Sequence, residues 1–110
     1  MSRHRLCAPA DVPPGEVRVL PCGTRELAVS NIGGTLYAID DVCTHDGGPL
    51  GEGTLRGDRL ICPRHGAAFN ARTGKVLTLP AVRDVRAYPV SVEGDGVYVQ
   101  CDGGESEPGA

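Results

Sequence analysis

Residues 43–65, CTHDGGPLGEGTLRGDRLICPRH, decide how the chain is read. They open on Cys43-Thr44-His45 and close on Cys62-Pro63-Arg64-His65, with sixteen residues between His45 and Cys62. Each box contributes one thiolate and one imidazole, so together they offer two Cys and two His to a metal. That donor set suits either a tetrahedral zinc site or a mixed-ligand iron–sulfur cluster. Spacing weighs against zinc, because structural zinc sites usually present paired ligands two to four residues apart and Cys-x-His is tighter.

Outward from the boxes, the pattern is that of short strands and turns. The stretch from Asp40 to Gly57 is Gly-rich and lacks helical periodicity, which predicts an extended functional loop. Arg59-Leu60-Ile61 returns to strand character just before Cys62, and Ala67-Ala68-Phe69 does so just after His65. Arg72-Thr73-Gly74-Lys75 is a turn signal ahead of Val76-Leu77. Upstream, Val17-Arg18-Val19-Leu20 and Glu26-Leu27-Ala28-Val29 read as strands separated by Pro21-Cys22-Gly23-Thr24. Asn31-Ile32-Gly33-Gly34 supplies a hairpin turn through glycines that take positive φ, and Leu36-Tyr37-Ala38-Ile39 completes the pair. Downstream, Ala87 to Val92 and Val97 to Gln100 alternate around the turn Glu93-Gly94-Asp95-Gly96, with Pro89 marking an edge or bulged position.

Composition agrees with an all-β reading. A chain of 110 residues fits a single domain, and the 16 Gly and 9 Pro are spread along it as many turns require. With no Trp and an aromatic fraction of 4%, the core is built mainly from Val, Leu, Ile and Ala, so a bound metal centre would act as an internal staple. We read residues 1–101 as the domain and 102–110, rich in Gly, Glu, Ser and Pro, as a flexible tail. A net charge of -3 with scattered Arg residues gives no footprint for nucleic acid. No apolar run is long enough for a signal peptide or a membrane span, which predicts a cytoplasmic protein. In a reducing compartment an odd count of five cysteines fits metal ligands and free thiols better than disulfides. Cys7, Cys22 and Cys101 lie outside both boxes and are expected to be small buried or incidental thiols, and His4 a solvated terminal residue.

The two boxes resemble the Rieske family, whose pattern is Cys-x-His, a long spacer, then Cys-x-x-His. Flanking residues carry the resemblance further: Asp46-Gly47-Gly48-Pro49-Leu50 after the first box, and Gly66, Phe69 and Thr73-Gly74 after the second. It runs from about Leu36 to about Val99, and Leu79-Pro80-Ala81 is similar to the family's third loop over the cluster. The resemblance implies an antiparallel β-sandwich with a small cluster-binding subdomain over about residues 41–81. It also implies one [2Fe–2S] cluster, with Cys43 and Cys62 on one iron and His45 and His65 on the other. Two thiolates leave the oxidised unit neutral where four would leave it doubly negative, so an electron is added more easily than to a four-cysteine cluster. Respiratory members carry a loop disulfide and hydroxyl donors to the cluster. Here Arg64 and Gly48 or a near neighbour stand at the positions of the cysteines, and Ala67 and Phe69 at those of the hydroxyls. The expected potential is therefore low in the Rieske range, on the order of -150 mV.

Within the family, a respiratory subunit would need a membrane anchor. An oxygenase would need a mononuclear iron site, commonly two His and a carboxylate. Only His4 remains once His45 and His65 are used. The resemblance is thus to the free ferredoxins of multicomponent ring-hydroxylating dioxygenases: a monomeric one-electron carrier, not itself an enzyme. It would dock transiently to a flavin reductase as donor and a terminal oxygenase as acceptor. The alternatives are the small subunit of an assimilatory nitrite reductase and a zinc-stabilised structural or interaction domain.

Overall fold

The computed structural model describes residues 4–23, 25–41, 50–63, 66–78 and 83–101. Among these lie ten strands: β1 (His4–Cys7), β2 (Val17–Cys22), β3 (Arg25–Ile32), β4 (Thr35–Asp40), β5 (Thr54–Arg56), β6 (Arg59–Ile61), β7 (Ala68–Asn70), β8 (Ala87–Tyr88), β9 (Val90–Glu93) and β10 (Gly96–Val99). Only two short 3-10 turns, Pro9–Asp11 and Leu50–Glu52, accompany them. The all-β expectation is met, and every strand pairing is antiparallel.

The strands form three small sheets, ordered β1-β10-β9, β2-β3-β4-β8 and β5-β6-β7. The middle one is buried on both faces, and the alternation of β3 and β4 shows how. Leu27 and Val29 of β3, with Leu36 and Ala38 of β4, pack against Cys7, Val97 and Val99 of the β1-β10-β9 sheet. The intervening residues Ala28 and Ile39, paired with each other across the ladder, face the opposite way and meet Leu50, Leu60, Cys62 and Phe69. One strand pair therefore anchors the outer sheet on one face and the small β5-β6-β7 sheet on the other.

Several local expectations change. The β3–β4 turn is Gly33-Gly34 alone, at φ 65° and 95°, because Ile32 already pairs with Thr35. This is the two-residue hairpin geometry that requires positive φ twice. Asn31 is buried one residue before the end of β3: its Oδ1 accepts from the Gly34 N–H at 2.8 Å and its Nδ2 donates to the Val12 carbonyl at 2.7 Å. β2 continues through Pro21 and Cys22, which an edge strand tolerates since β2 pairs only with β3. His4 is not a solvated terminal residue; it is half-buried in β1, opposite Val99. The Asp40–Gly57 stretch contains the Leu50–Glu52 turn and β5. Pro89 stands between β8 and β9, where the chain leaves the central sheet for the outer one.

Cys22 and Cys101, read from sequence as free thiols, form a disulfide with Cα atoms 6.3 Å apart. Cys22 ends the edge strand β2 and Cys101 follows β10, so the ends of two stacked sheets meet within bridging distance. Cys7 is a buried free thiol in the same apolar cluster. Burial pushes its pKa up, and the Asp11 carboxylate adds to the shift. Among the described residues no helix is long and apolar enough to cross a membrane. The expected tail, 102–110, lies outside the described residues.

Candidate metal centre

The β5-β6-β7 sheet exists to turn two loops, and its hairpin β6–β7 carries the second box. Ile61 pairs with Ala68, and the ladder is extended past the strand ends by the Cys62 N–H donating to the Ala67 carbonyl at 2.7 Å. The Gly66 N–H then donates to the Cys62 carbonyl at 3.1 Å, with Gly66 at φ 78°. A residue with a side chain disfavours that φ, so this glycine suits the point where the chain rejoins the hairpin after the box. Cys62 sits at the neck of the hairpin, 2% exposed, with a free thiol packed in the cluster of Leu60, Ala67 and Phe69.

Two further segments close on this hairpin. The Ala68 N–H donates to the Thr78 hydroxyl at 2.9 Å and the Leu77 N–H to the Ala68 carbonyl at 2.8 Å, which ties the start of the third loop to the base of the second box. On the other side, Leu50 is fully buried in the same apolar cluster. Asp41, two residues before the first box, accepts from the Gly51 N–H, six residues beyond it. Sequence reading passed over Asp41 and Thr78. The only signal was their position at the edges of the loops, and an Asp or Thr at a loop edge is commonplace.

Of the four expected ligands, Cys62 is described, while Cys43, His45 and His65 lie outside the described residues, as does the expected third loop at 79–81. The site's chemistry fits an iron–sulfur centre at the position that is seen. Cys22 and Cys101 are taken up by their disulfide and Cys7 is buried in the cluster under the outer sheet, whereas Cys62 is a free thiol in the cluster that packs the β6–β7 hairpin. A cysteine sulfur is a soft donor suited to iron, and its burial would keep solvent from the bond. Ala67 and Phe69, both fully buried, offer no hydroxyl to a neighbouring sulfur.

Comparison with known proteins places this geometry. The Rieske [2Fe-2S] domain family matches residues 2–89. The 3-phenylpropionate/cinnamic acid dioxygenase ferredoxin subunit of Shigella boydii serotype 4 (strain Sb227) is 41% identical over 100 residues, covering 90% of this chain and 93% of the relative. Among solved structures, the ferredoxin of carbazole 1,9a-dioxygenase from Nocardioides aromaticivorans IC177 superposes with a TM-score of 0.86 at 31% identity, covering 90% of this chain and 97% of that one. A chain from a complex of reduced oxygenase and oxidised ferredoxin in carbazole 1,9a-dioxygenase gives a TM-score of 0.83 at 40% identity, covering 88% and 91%. With the match spanning the cysteine-bearing hairpin and most of both chains, the protein belongs to the Rieske [2Fe-2S] family.

Proposed function

We propose that this chain is the ferredoxin component of a ring-hydroxylating dioxygenase system, carrying single electrons from a flavin reductase to a terminal oxygenase in the cytoplasm. The observation that carries the reading is the buried free thiol of Cys62 at the neck of the β6–β7 hairpin. It occurs in a chain that aligns over nine-tenths of its length with a dioxygenase ferredoxin subunit. Cys43, His45, Cys62 and His65 would hold one [2Fe–2S] cluster, within a cluster-binding part spanning about residues 41–81. When bound, such a centre exchanges one electron at a time.

The chain's own residues have two tasks. Leu50, Leu60 and Phe69, all fully buried, keep water from the inner side of the site and hold the two loops to a rigid sheet. Ala67 and Phe69 withhold the hydroxyl hydrogen bonds that would raise the potential, which supports a value on the order of -150 mV. The test is the aerobically purified protein. Visible absorbance with iron and acid-labile sulfide in equal amounts is expected. A colourless sample that contains zinc and no iron would end the electron-carrier reading.

A further inference from the structure

Asp41 and Gly51 bracket the first ligand loop, and the contacts around them reach the second. The Asp41 main chain is fixed by its N–H, which donates to the Glu26 carbonyl at 3.0 Å and so continues the β3–β4 ladder. Its half-buried side chain accepts the Gly51 N–H across the neck of the loop. The returning segment has no slack. Leu50 is fully buried, and the Gly53 N–H closes a tight turn on the Leu50 carbonyl at 2.9 Å. A Cβ at Gly51 would fall on the Val19 side chain of β2, and a Cβ at Gly53 would fall on the carbonyl oxygen of Ile61, the residue before Cys62. The turn is thus wedged between the central sheet and the strand that presents Cys62. An acid at a loop edge is ordinarily solvated; this one closes a ring whose far wall is the second ligand hairpin.

We propose that Asp41 is a positioning residue for the metal centre: its carboxylate oxygen closes the neck of the loop bearing Cys43 and His45, and the Leu50–Gly53 turn transmits that position to Cys62. The proposal rests on the four-ligand reading above. Its physical content is an acceptor at a set distance, so asparagine, which keeps the oxygen and drops the charge, should suffice. Glutamate, which keeps the charge and moves the oxygen by one methylene, should not.

The experiment follows loss of visible absorbance from the holoprotein in excess iron chelator, with EPR of the reduced state as a second readout. Asp41→Ala should release the cluster about tenfold faster than the parent, the size expected for removing one acceptor and leaving the Gly51 N–H unpaired. Asp41→Asn should stay within about twofold with an unchanged EPR line shape. If Asp41→Ala does not accumulate as folded protein, Asp41→Glu carries the test and should release several-fold faster than Asp41→Asn. Parent-like retention in Asp41→Ala or Asp41→Glu overturns the proposal, as does an Asp41→Asn as labile as either. A parent protein that shows no cluster absorbance removes the ligand reading instead.

Discussion

On one face of β3 and β4, Leu27, Val29, Leu36 and Ala38 lie under an outer sheet of four-residue strands whose end is tied to β2 by Cys22–Cys101. On the other face, Ala28 and Ile39 meet a sheet of three strands that are each three residues long. The first region is closed by pairing, apolar contact and a covalent bond. The second has little ladder of its own, and such short strands are not stable in isolation. Its order depends on a few large side chains, Leu50, Leu60 and Phe69, and a cluster bound by the proposed ligands would add a cross-link to it. The lesson is a division of labour: one face of the central sheet stores stability, and the other carries the hairpin with Cys62 beside a loop whose neck Asp41 closes.

The comparison breaks most visibly at Phe69, the only phenylalanine in the chain and fully buried beneath the second box. Phe69→Ala is expected to cost about 3–5 kcal/mol. In urea, the visible absorbance should disappear at lower denaturant than the far-UV circular dichroism, because the inner sheet loosens first. Coincident transitions in this variant would argue that the two faces fold as one unit. Replacing both Cys22 and Cys101 by Ala should cost about 2–5 kcal/mol, since the bridge closes a loop of 79 residues. Here the ordering inverts: stability falls while the absorption spectrum of the native protein is unchanged, and a displaced spectrum would show that the outer face does shape the site. Mass spectrometry without reductant should find this pair linked and Cys7 unmodified by thiol reagents at neutral pH, as burial dictates.

Smaller effects sharpen the picture at the sheet that both regions share. The Tyr88 hydroxyl donates to Asp40 at 2.7 Å, and burial, reinforced by that bond, pushes its pKa up to about 12 from 10.0. An unfolded tyrosine ionises near pH 10 while the folded one holds its proton, so this contribution is intact below pH 10. It is lost as the pH climbs from 10 towards 12. Tyr88→Phe should flatten that alkaline limb in stability-against-pH measurements; an unaltered limb would assign it to other groups. Ser30 lies on β3 between Ala28 and Ile32, on the inner face, with a fully buried hydroxyl that has no hydrogen-bond partner among the described residues. Ser30→Ala should be neutral or stabilise by up to about 1 kcal/mol in chemical denaturation. A loss above that would reveal a partner for the hydroxyl.

Much of this architecture was legible in residue order. The β3–β4 hairpin announced itself through alternation around Gly33-Gly34, and the ligand hairpin through Leu60-Ile61 and Ala68-Phe69 flanking the second box. What escaped reading depends on partners remote in the chain. β1 is four residues with two basic side chains, and its strand character comes from pairing with β10 at the other end of the sequence. Cys22 and Cys101 meet only because two sheets stack, which no local spacing encodes. β5 was hidden in a Gly-rich stretch because it is three residues long and borrows its register from β6. At the site, residue types and spacing make Cys43, His45, Cys62 and His65 the expected ligands, of which Cys62 lies among the described residues. The acceptor that closes the loop neck, Asp41, is chemically ordinary and acquires meaning only from the Gly51 N–H opposite it.

The proposed cluster is mixed-ligand, with Cys43 and Cys62 on one iron and His45 and His65 on the other. Electron–nuclear double resonance on the reduced protein, grown with 15N-histidine, tests it directly. The account predicts couplings from two histidine nitrogens, together with a midpoint potential on the order of -150 mV. A reduced cluster with no histidine nitrogen coupling would contradict the ligand assignment, and a midpoint above about +100 mV would contradict the hydroxyl-free surroundings assigned to Ala67 and Phe69.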